Sequence, residues 1–507
     1  MSLVRPSLLV GLSLVASRLL GFARDVVMAG LLGAGPAADA FLVALRLPQL
    51  VRRVLGEGGL NAAVVPLYRR AERERGLGAA RALAADAIAG LSLFLAIVLS
   101  VLELVAPLAV LVLAPAYVAN ASLWDLSTAY LRVLLPFVGF ISVASLTAAV
   151  LNAKARFLAA SLAPVAVNVF IIAAAIAIHM TATDSAAAGL WLGAAFSFAG
   201  FCQLVIVALA LRGARLPWRR PRLTPDIRHL VAFGAPALVA SGAAQLILIV
   251  ATEVASARPA AVSWLYYADR LFQLPLSMVG TGLGIVLLPT IASGVTAPRD
   301  ILNRALEAAL ALTLPAAAGL IILAQPIVGT LFERGAFAAI DTRGTSAVLV
   351  GLAAGLPAAV VGKVLAQDFF ARERTRVPLI ALAVAIAATF VGSAGLAQLF
   401  GIAGLGGGAS LGFFAHTLVL GIALAADGRW SPDRKLLDRI GRCVAATIAM
   451  GLMVGWLDSA IATSADGQKG ALRVIALCLA GVATYTTVLV AVRGTSFSEI
   501  RTALFGR

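Results

Sequence analysis

Apolar stretches of roughly 20 residues, the length a helix needs to cross the hydrocarbon core of a bilayer, recur along this chain almost from end to end. Roughly fourteen can be laid down, centred near residues 20, 50, 95, 140, 168, 200, 241, 277, 315, 356, 388, 414, 450 and 483. They use most of the 507 residues, so no sizeable water-soluble domain is left over. Residues 171–178 and 379–388 are continuously apolar rather than alternating, which argues against a transmembrane barrel. Only 13% of the residues are charged and 61% are hydrophobic, whereas a soluble domain carries about 25% charged residues. Disorder is excluded because apolar surface is in excess. The first stretch reads as a retained helix and not as a signal peptide, because the pattern continues for some thirteen more spans. The sequence therefore predicts an all-α integral membrane protein of about fourteen transmembrane helices.

The formal net charge of +16 raises the question of a nucleic-acid partner, and the placement of the charges answers it. If the spans alternate, one side receives Arg258, Arg334, Arg343, Lys469 and Arg473, and eight basic residues fall within spans. The remaining 27 of the 40 lie on the side of the N-terminus, among them Arg69, Arg70, Arg73, Arg75, Arg81, Arg212, Arg215, Arg219, Arg220, Arg222, Arg228, Arg372, Arg374 and Arg376. That asymmetry follows the positive-inside rule and predicts cytoplasmic termini. Membrane lipids with anionic headgroups are the expected partner of these loops, and nucleic acid is not.

Cys202, Cys443 and Cys478 lie in apolar spans without metal-ligand spacing, and His179, His229 and His416 are far apart. No phosphate-binding loop of the form G-x-x-x-x-G-K-[ST] is present, so neither a metal site nor a cofactor is expected. The glycine-rich runs 280–284 and 404–408 follow no strand and suit close helix packing.

Arg46-Leu47-Pro48-Gln49-Leu50 is echoed 224 residues later by Arg270-Leu271-Phe272-Gln273-Leu274, and Val150-Leu151-Asn152-Ala153 with Pro164 resembles Val364-Leu365-Ala366-Gln367 with Pro378. Six spans fit each period, and an even number preserves orientation. Two pseudo-symmetric six-helix lobes are predicted, residues 1–222 and 223–436, followed by two additional helices in 437–507. Parallel repeats of this kind hold substrate between lobes that rock.

The chemistry lies in the charges that enter the spans. Arg18, Arg24, Arg46, Arg52, Arg53, Arg132, Arg270 and Lys363 would together cost about 20 to 28 kcal/mol if all faced lipid at mid-depth, more than the roughly 5 to 15 kcal/mol by which a domain is stable. They require acidic partners, snorkelling or a wet cavity. In the first span Arg18 and Asp25 are seven apart and share a face, with Arg24 to one side. In the second, Asp39, Arg46 and Arg53 repeat at seven and Glu57 follows at i+4, a charged stripe about 27 Å long. Asp269 and Arg270 occupy the repeat-equivalent helix. These three helices hold more Arg than acid, which suits a polyanion such as a diphosphate, because guanidinium binds phosphate oxygens bidentately. For Arg52, Arg53 and Glu57, near one end of their span, topology or snorkelling is an equal explanation. Asp86, Glu103, Glu253 and Asp368 are either proton or sodium carriers or helix-end residues.

Ser17-Arg18-Leu19-Leu20-Gly21-Phe22-Ala23-Arg24-Asp25, Ala38-Asp39-Ala40-Phe41, and Leu47-Pro48-Gln49-Leu50-Val51-Arg52-Arg53 with Glu57-Gly58 resemble the N-terminal signature of the MurJ (MviN) lipid II flippases. Ser263-Trp264-Leu265-Tyr266-Tyr267-Ala268-Asp269-Arg270-Leu271 resembles the eighth-helix motif of that family. The resemblance implies a fourteen-helix member of the multidrug/oligosaccharidyl-lipid/polysaccharide exporter superfamily in the bacterial inner membrane. It further implies a transporter, not an enzyme, that moves the undecaprenyl-diphosphate-linked peptidoglycan precursor lipid II from the cytoplasmic to the periplasmic leaflet, in concert with cell-wall synthesis machinery. Arg18, Arg24, Asp39, Arg52, Arg53, Glu57 and Arg270 match positions important in the family, and the last two helices are expected to form a groove for the lipid tail.

From these readings Arg18, Arg24, Arg270, Arg52 and Arg53 are expected to bind substrate, and Asp25, Asp39, Glu57, Asp269 and Arg46 to form a gating charge network. The helices around residues 388 and 414 contain no Asp, Glu or Asn, which argues against the sodium site described for some relatives. The alternatives are an exporter of another lipid-linked oligosaccharide, a drug exporter of the same superfamily, or a membrane enzyme acting on polyprenyl diphosphates. Cationic drugs would call for a surplus of acid, and an enzyme for a cluster of acids, His or a nucleophile near one interface.

Overall fold

A computed structural model describes residues 4–56, 59–181, 183–212, 242–293, 298–372, 374–462 and 470–492. Within them the chain forms seventeen α-helices and no strand. These are α1 (Val4–Leu32), α2 (Pro36–Gly56), α3 (Gly59–Leu104), α4 (Ala106–Leu113), α5 (Ala121–Ala153), α6 (Phe157–Met180), α7 (Ser185–Leu211), α8 (Ala243–Ala255) and α9 (Ala261–Ser293). They continue with α10 (Pro298–Ile322), α11 (Ala324–Phe332), α12 (Ala339–Ala353), α13 (Leu356–Ala371), α14 (Arg376–Leu399), α15 (Ala403–Ala426), α16 (Arg434–Ala462) and α17 (Ala471–Ala491).

Among the described residues nine helices are long and apolar enough to cross a membrane, and α12 with α13 forms one further crossing bent by 45°. Three more helices of sufficient length, α1, α2 and α9, carry most of the embedded charges. With the shorter apolar helix α8, the set is consistent with the fourteen crossings expected. The solvent around them is lipid: Leu104, Met180 and Leu472 are 79%, 81% and 82% exposed, which water would penalise and hydrocarbon does not.

By contacts the chain divides into two units, Met1–Ser263 with Arg334–Phe337, and Trp264–Glu333 with Ala338–Arg507. In the first, Phe41 of α2 packs edge-on against Tyr130 of α5 at 5.6 Å and beside Phe196 of α7 at 6.2 Å, and Phe137 meets Phe196 at 5.5 Å. The Tyr130 hydroxyl donates to the carbonyl of Ala186 at 2.8 Å, so the buried ring leaves no orphan donor. Helix α3 breaks at Gly76, with φ 81° and ψ 170°, a conformation that only glycine adopts easily. The basic segment before Gly76 is thereby separated from the spanning part.

In the second unit α14 and α15 touch backbone to backbone. A Cβ at Gly404, Gly408 or Gly412 would overlap Leu396, Ser393 or Thr389 respectively, and the four-residue spacing puts all three glycines on one face. The bend between α12 and α13 frees carbonyls that lipid cannot satisfy. The Ser410 hydroxyl of α15 donates to those of Gly351 and Leu352 at 2.7 and 3.1 Å. At the far end of α13, Asp368 is fully buried; it forms an ion pair with Arg372 at 2.6 Å and accepts from Arg429 Nη2 at 2.6 Å. That hydrogen bond from Arg429 holds its guanidinium pKa above the usual value. Asp368 is therefore an ion-pair anchor for the turn after α15. Glu103 lies 3.8 Å from Arg132.

Candidate functional site

The charged residues of α1 are sorted by burial. Arg18 is exposed, whereas Arg24 and Asp25 are 4% and 2% exposed. Successive residues on a helix point about 100° apart, yet the long Arg24 side chain folds back so that Nε and Nη2 donate to Asp25 Oδ1 at 3.0 and 2.7 Å. Its third nitrogen, Nη1, donates to Oδ1 of Asn168 on α6 at 3.2 Å. The Asn168 amide is oriented by its own donations to the carbonyls of Ser17 and Pro164, at 3.2 and 3.1 Å. Phe196 supplies an aromatic face 5.5 Å from the guanidinium carbon. A buried guanidinium is thus neutralised by one carboxylate and tied across two helices.

Asp39 lies in the first turn of α2 and is 3% exposed. Its Oδ2 accepts from the backbone N–H of Ala260 at 2.8 Å, and its Oδ1 accepts from the N–H and hydroxyl of Ser263 at 2.9 and 2.5 Å. Residues 260–263 are the N-terminal turn of α9, so Asp39 caps that helix from a distant part of the chain. A carboxylate there satisfies orphan N–H groups and meets the positive end of the helix dipole. The partners lie 224 residues apart, the interval that also separates Arg46 from Arg270.

In α9, Asp269 is fully buried and Arg270 is 8% exposed. Arg270 Nη2 donates to Asp269 Oδ2 at 2.9 Å, and Gln273 Nε2, one turn on, donates to Asp269 Oδ1 at 2.9 Å. The Tyr266 ring lies 4.6 Å from the Arg270 guanidinium carbon. Arg46 of α2 is 3% exposed and Arg52 is partly exposed. The side chain of Arg53, and Glu57 altogether, lie outside the described residues.

The structure therefore brings Arg24 to Asp25 and Arg270 to Asp269, and it places Asp39 on the start of α9. Asn168, Ser263, Gln273, Tyr266 and Phe196 were not foreseen. Asn168 had a sequence signal, an amide alone in an apolar span, and Gln273 had one as part of the repeated Arg-Leu-x-Gln-Leu. Among the described residues no three His, Cys, Asp or Glu side chains converge as metal ligands.

The family described as lipid II flippase MurJ matches residues 28–468 of this chain. The chain belongs to the lipid II flippase MurJ family. A probable lipid II flippase MurJ of Rhizobium meliloti (strain 1021) is 36% identical over 513 residues, covering 99% of this chain and 96% of that protein. The lipid II flippase MurJ of Burkholderia cenocepacia is 31% identical over 473 residues, covering 90% of each. A solved lipid II flippase MurJ in its inward closed conformation superposes with a TM-score of 0.77 at 21% identity, over 99% of this chain and 100% of that one. An inward-facing multidrug resistance MATE family transporter superposes with a TM-score of 0.66 at 15% identity, over 81% of this chain and 94% of that one. At these identities the two structures speak to fold alone. The MurJ family's membrane-spanning architecture is thus the setting of the buried Arg–Asp pairs.

Proposed function

We propose that this chain translocates lipid II from the cytoplasmic to the periplasmic leaflet of the bacterial inner membrane by alternating access, with both termini cytoplasmic. The observation that carries the mechanism is that Arg24 and Arg270, each buried in a spanning helix, are neutralised by adjacent carboxylates. Without substrate, Asp25 and Asp269 keep the guanidiniums soluble in a poorly solvated interior. An arriving diphosphate offers oxygens in the same planar, bidentate geometry and replaces the carboxylates on Arg24 and Arg270, with the exposed Arg18 assisting. Asn168 holds Arg24 in place, and Gln273 holds the displaced Asp269 in register.

Segments 1–222 and 223–436 are the proposed moving lobes, and 437–507 the proposed tail groove. Asp39 acts as a latch: its three bonds to Ala260 and Ser263 exist in one state and are lost in the other, which makes the transition two-state. Arg46, Arg52 and Arg53 of α2, with Glu57 next in sequence after it, complete the proposed charge path. Moving one net charge through 100 mV supplies about 2.3 kcal/mol, so a charged intermediate responds to membrane potential. Working alongside cell-wall synthesis machinery follows from the substrate.

A cationic-drug exporter of the same fold is the second reading, and the arginine surplus of α1, α2 and α9 disfavours it. The deciding assay is headgroup accessibility of lipid II in reconstituted vesicles. Protein-dependent exposure of lipid II, with no export of cationic dyes, is expected. Dye export without lipid II exposure would reverse the reading.

A further inference from the structure

A second group of cations lies at the other end of α5, outside the charge network above. Helix α5 ends in a reciprocal cap: the N–H of Arg156 donates to the carbonyl of Leu151 at 2.9 Å and that of Ala155 to Asn152 at 3.0 Å. Ala155 takes φ 58°, the left-handed conformation usually left to glycine. The turn presents Lys154 and Arg156 together, and Arg156 Nη1 donates to the carbonyl of Ala210 at the end of α7 at 3.1 Å. From α3, Tyr68 packs into the same end of the unit, beside Val64, Ala149 and Val150.

Tyr68 is 1% exposed and, among the described residues, its hydroxyl makes no hydrogen bond; the buried Arg81 Nε makes none there either. Buried donors are ordinarily satisfied, so two unsatisfied ones in one neighbourhood ask for an acceptor. The neighbourhood is shared: Arg81 and Glu72 act electrostatically on both Tyr68 and Lys154. Burial, and then repulsion from Arg81 and Arg156, lowers the Lys154 pKa below its usual value, with Glu72 opposing. Glu72 is itself 3.6 Å from Arg69. Cations thus predominate among the charges felt by Tyr68 and Lys154, and exposure grades from Arg156, exposed, through Arg81 and Lys154, partly exposed, to Tyr68, buried.

We propose that Tyr68, Arg81, Lys154 and Arg156 form an anion site at the membrane–water boundary that takes the phosphate of an anionic lipid headgroup. The phosphate enters from the exposed Arg156 side, accepts from Arg81 Nε and the Tyr68 hydroxyl, and lies against Lys154. The site stands on these residues alone and does not depend on the flippase reading. Phosphatidylglycerol and the diphosphate of a polyprenyl carrier share the chemistry, and the test separates them.

Detergent-solubilised full-length protein is titrated with phosphatidylglycerol, phosphatidylcholine or undecaprenyl diphosphate, and bound lipid is counted by native mass spectrometry. Retention of phosphatidylglycerol over phosphatidylcholine is expected to fall about fivefold in Lys154→Gln and in Arg81→Gln, and about threefold in Tyr68→Phe. Lys154→Arg should restore it. Unchanged melting temperature and elution show that the variants are folded. If the variants instead lose only undecaprenyl diphosphate, the anionic-phospholipid assignment is overturned in favour of the carrier. If folded variants bind every lipid as wild type does, the site is refuted.

Discussion

The bonds around Arg24 run both along α1 to Asp25 and across to Asn168 on α6, whereas Gln273 and Tyr266, which flank Asp269 and Arg270, come from α9 itself. The ingredients match: an adjacent Arg and Asp, a side-chain amide and an aromatic face. The amide's role is reversed. Asn168 accepts from the guanidinium, while Gln273 donates to the carboxylate. The first arrangement couples the position of the Arg24 guanidinium to the spacing of two helices. In the second, Gln273 fixes Asp269 beside Arg270 through a bond within one helix. Asn168 thereby ties one cation across two helices, and Gln273 braces the carboxylate of the other pair from the next turn of its own helix.

The comparison breaks most sharply if the acids are removed. Asp25→Ala strands a buried guanidinium, and such losses cost about 3 to 5 kcal/mol; chemical denaturation in detergent should show it. A neutral result would mean Arg24 had found another anion or water. Asn168→Leu removes one acceptor and two anchoring bonds, so a loss of about 1 to 3 kcal/mol is expected, with faster hydrogen exchange at the α1–α6 contact. Asp39→Asn keeps an acceptor but loses the charge at the α9 N-terminus, for which about 1 kcal/mol and earlier exchange at residues 260–263 are predicted. Gln273→Leu should be mildest, about 0.5 kcal/mol. Equal losses for Asn168→Leu and Gln273→Leu would erase the distinction between the two pairs.

Much of the fold was legible because lipid imposes a simple rule: backbone groups must bond internally, so spans appear as apolar windows. The embedded charges marked α1, α2 and α9 as the unusual helices. Less was legible of who partners whom. Heptad spacing set Arg18 and Asp25 on one face, but Asp25 holds Arg24, because a flexible side chain reaches an adjacent residue that helical geometry points elsewhere. The 224-residue echo of Arg46 in Arg270 was visible, yet that Asp39 and Ser263 meet at the same interval is a tertiary fact. The window near residue 95 gave no warning that α3 begins at Gly59, since its leading segment is basic rather than apolar.

The central claim is that Arg24 and Arg270 exchange their carboxylates for the substrate diphosphate. Its most direct test is lipid II exposure in vesicles containing wild-type protein, Arg24→Ala or Arg270→Ala, each checked for folding and insertion. The account predicts inserted, folded variants that no longer expose lipid II at the outer surface, whereas wild-type rates in either variant would contradict it.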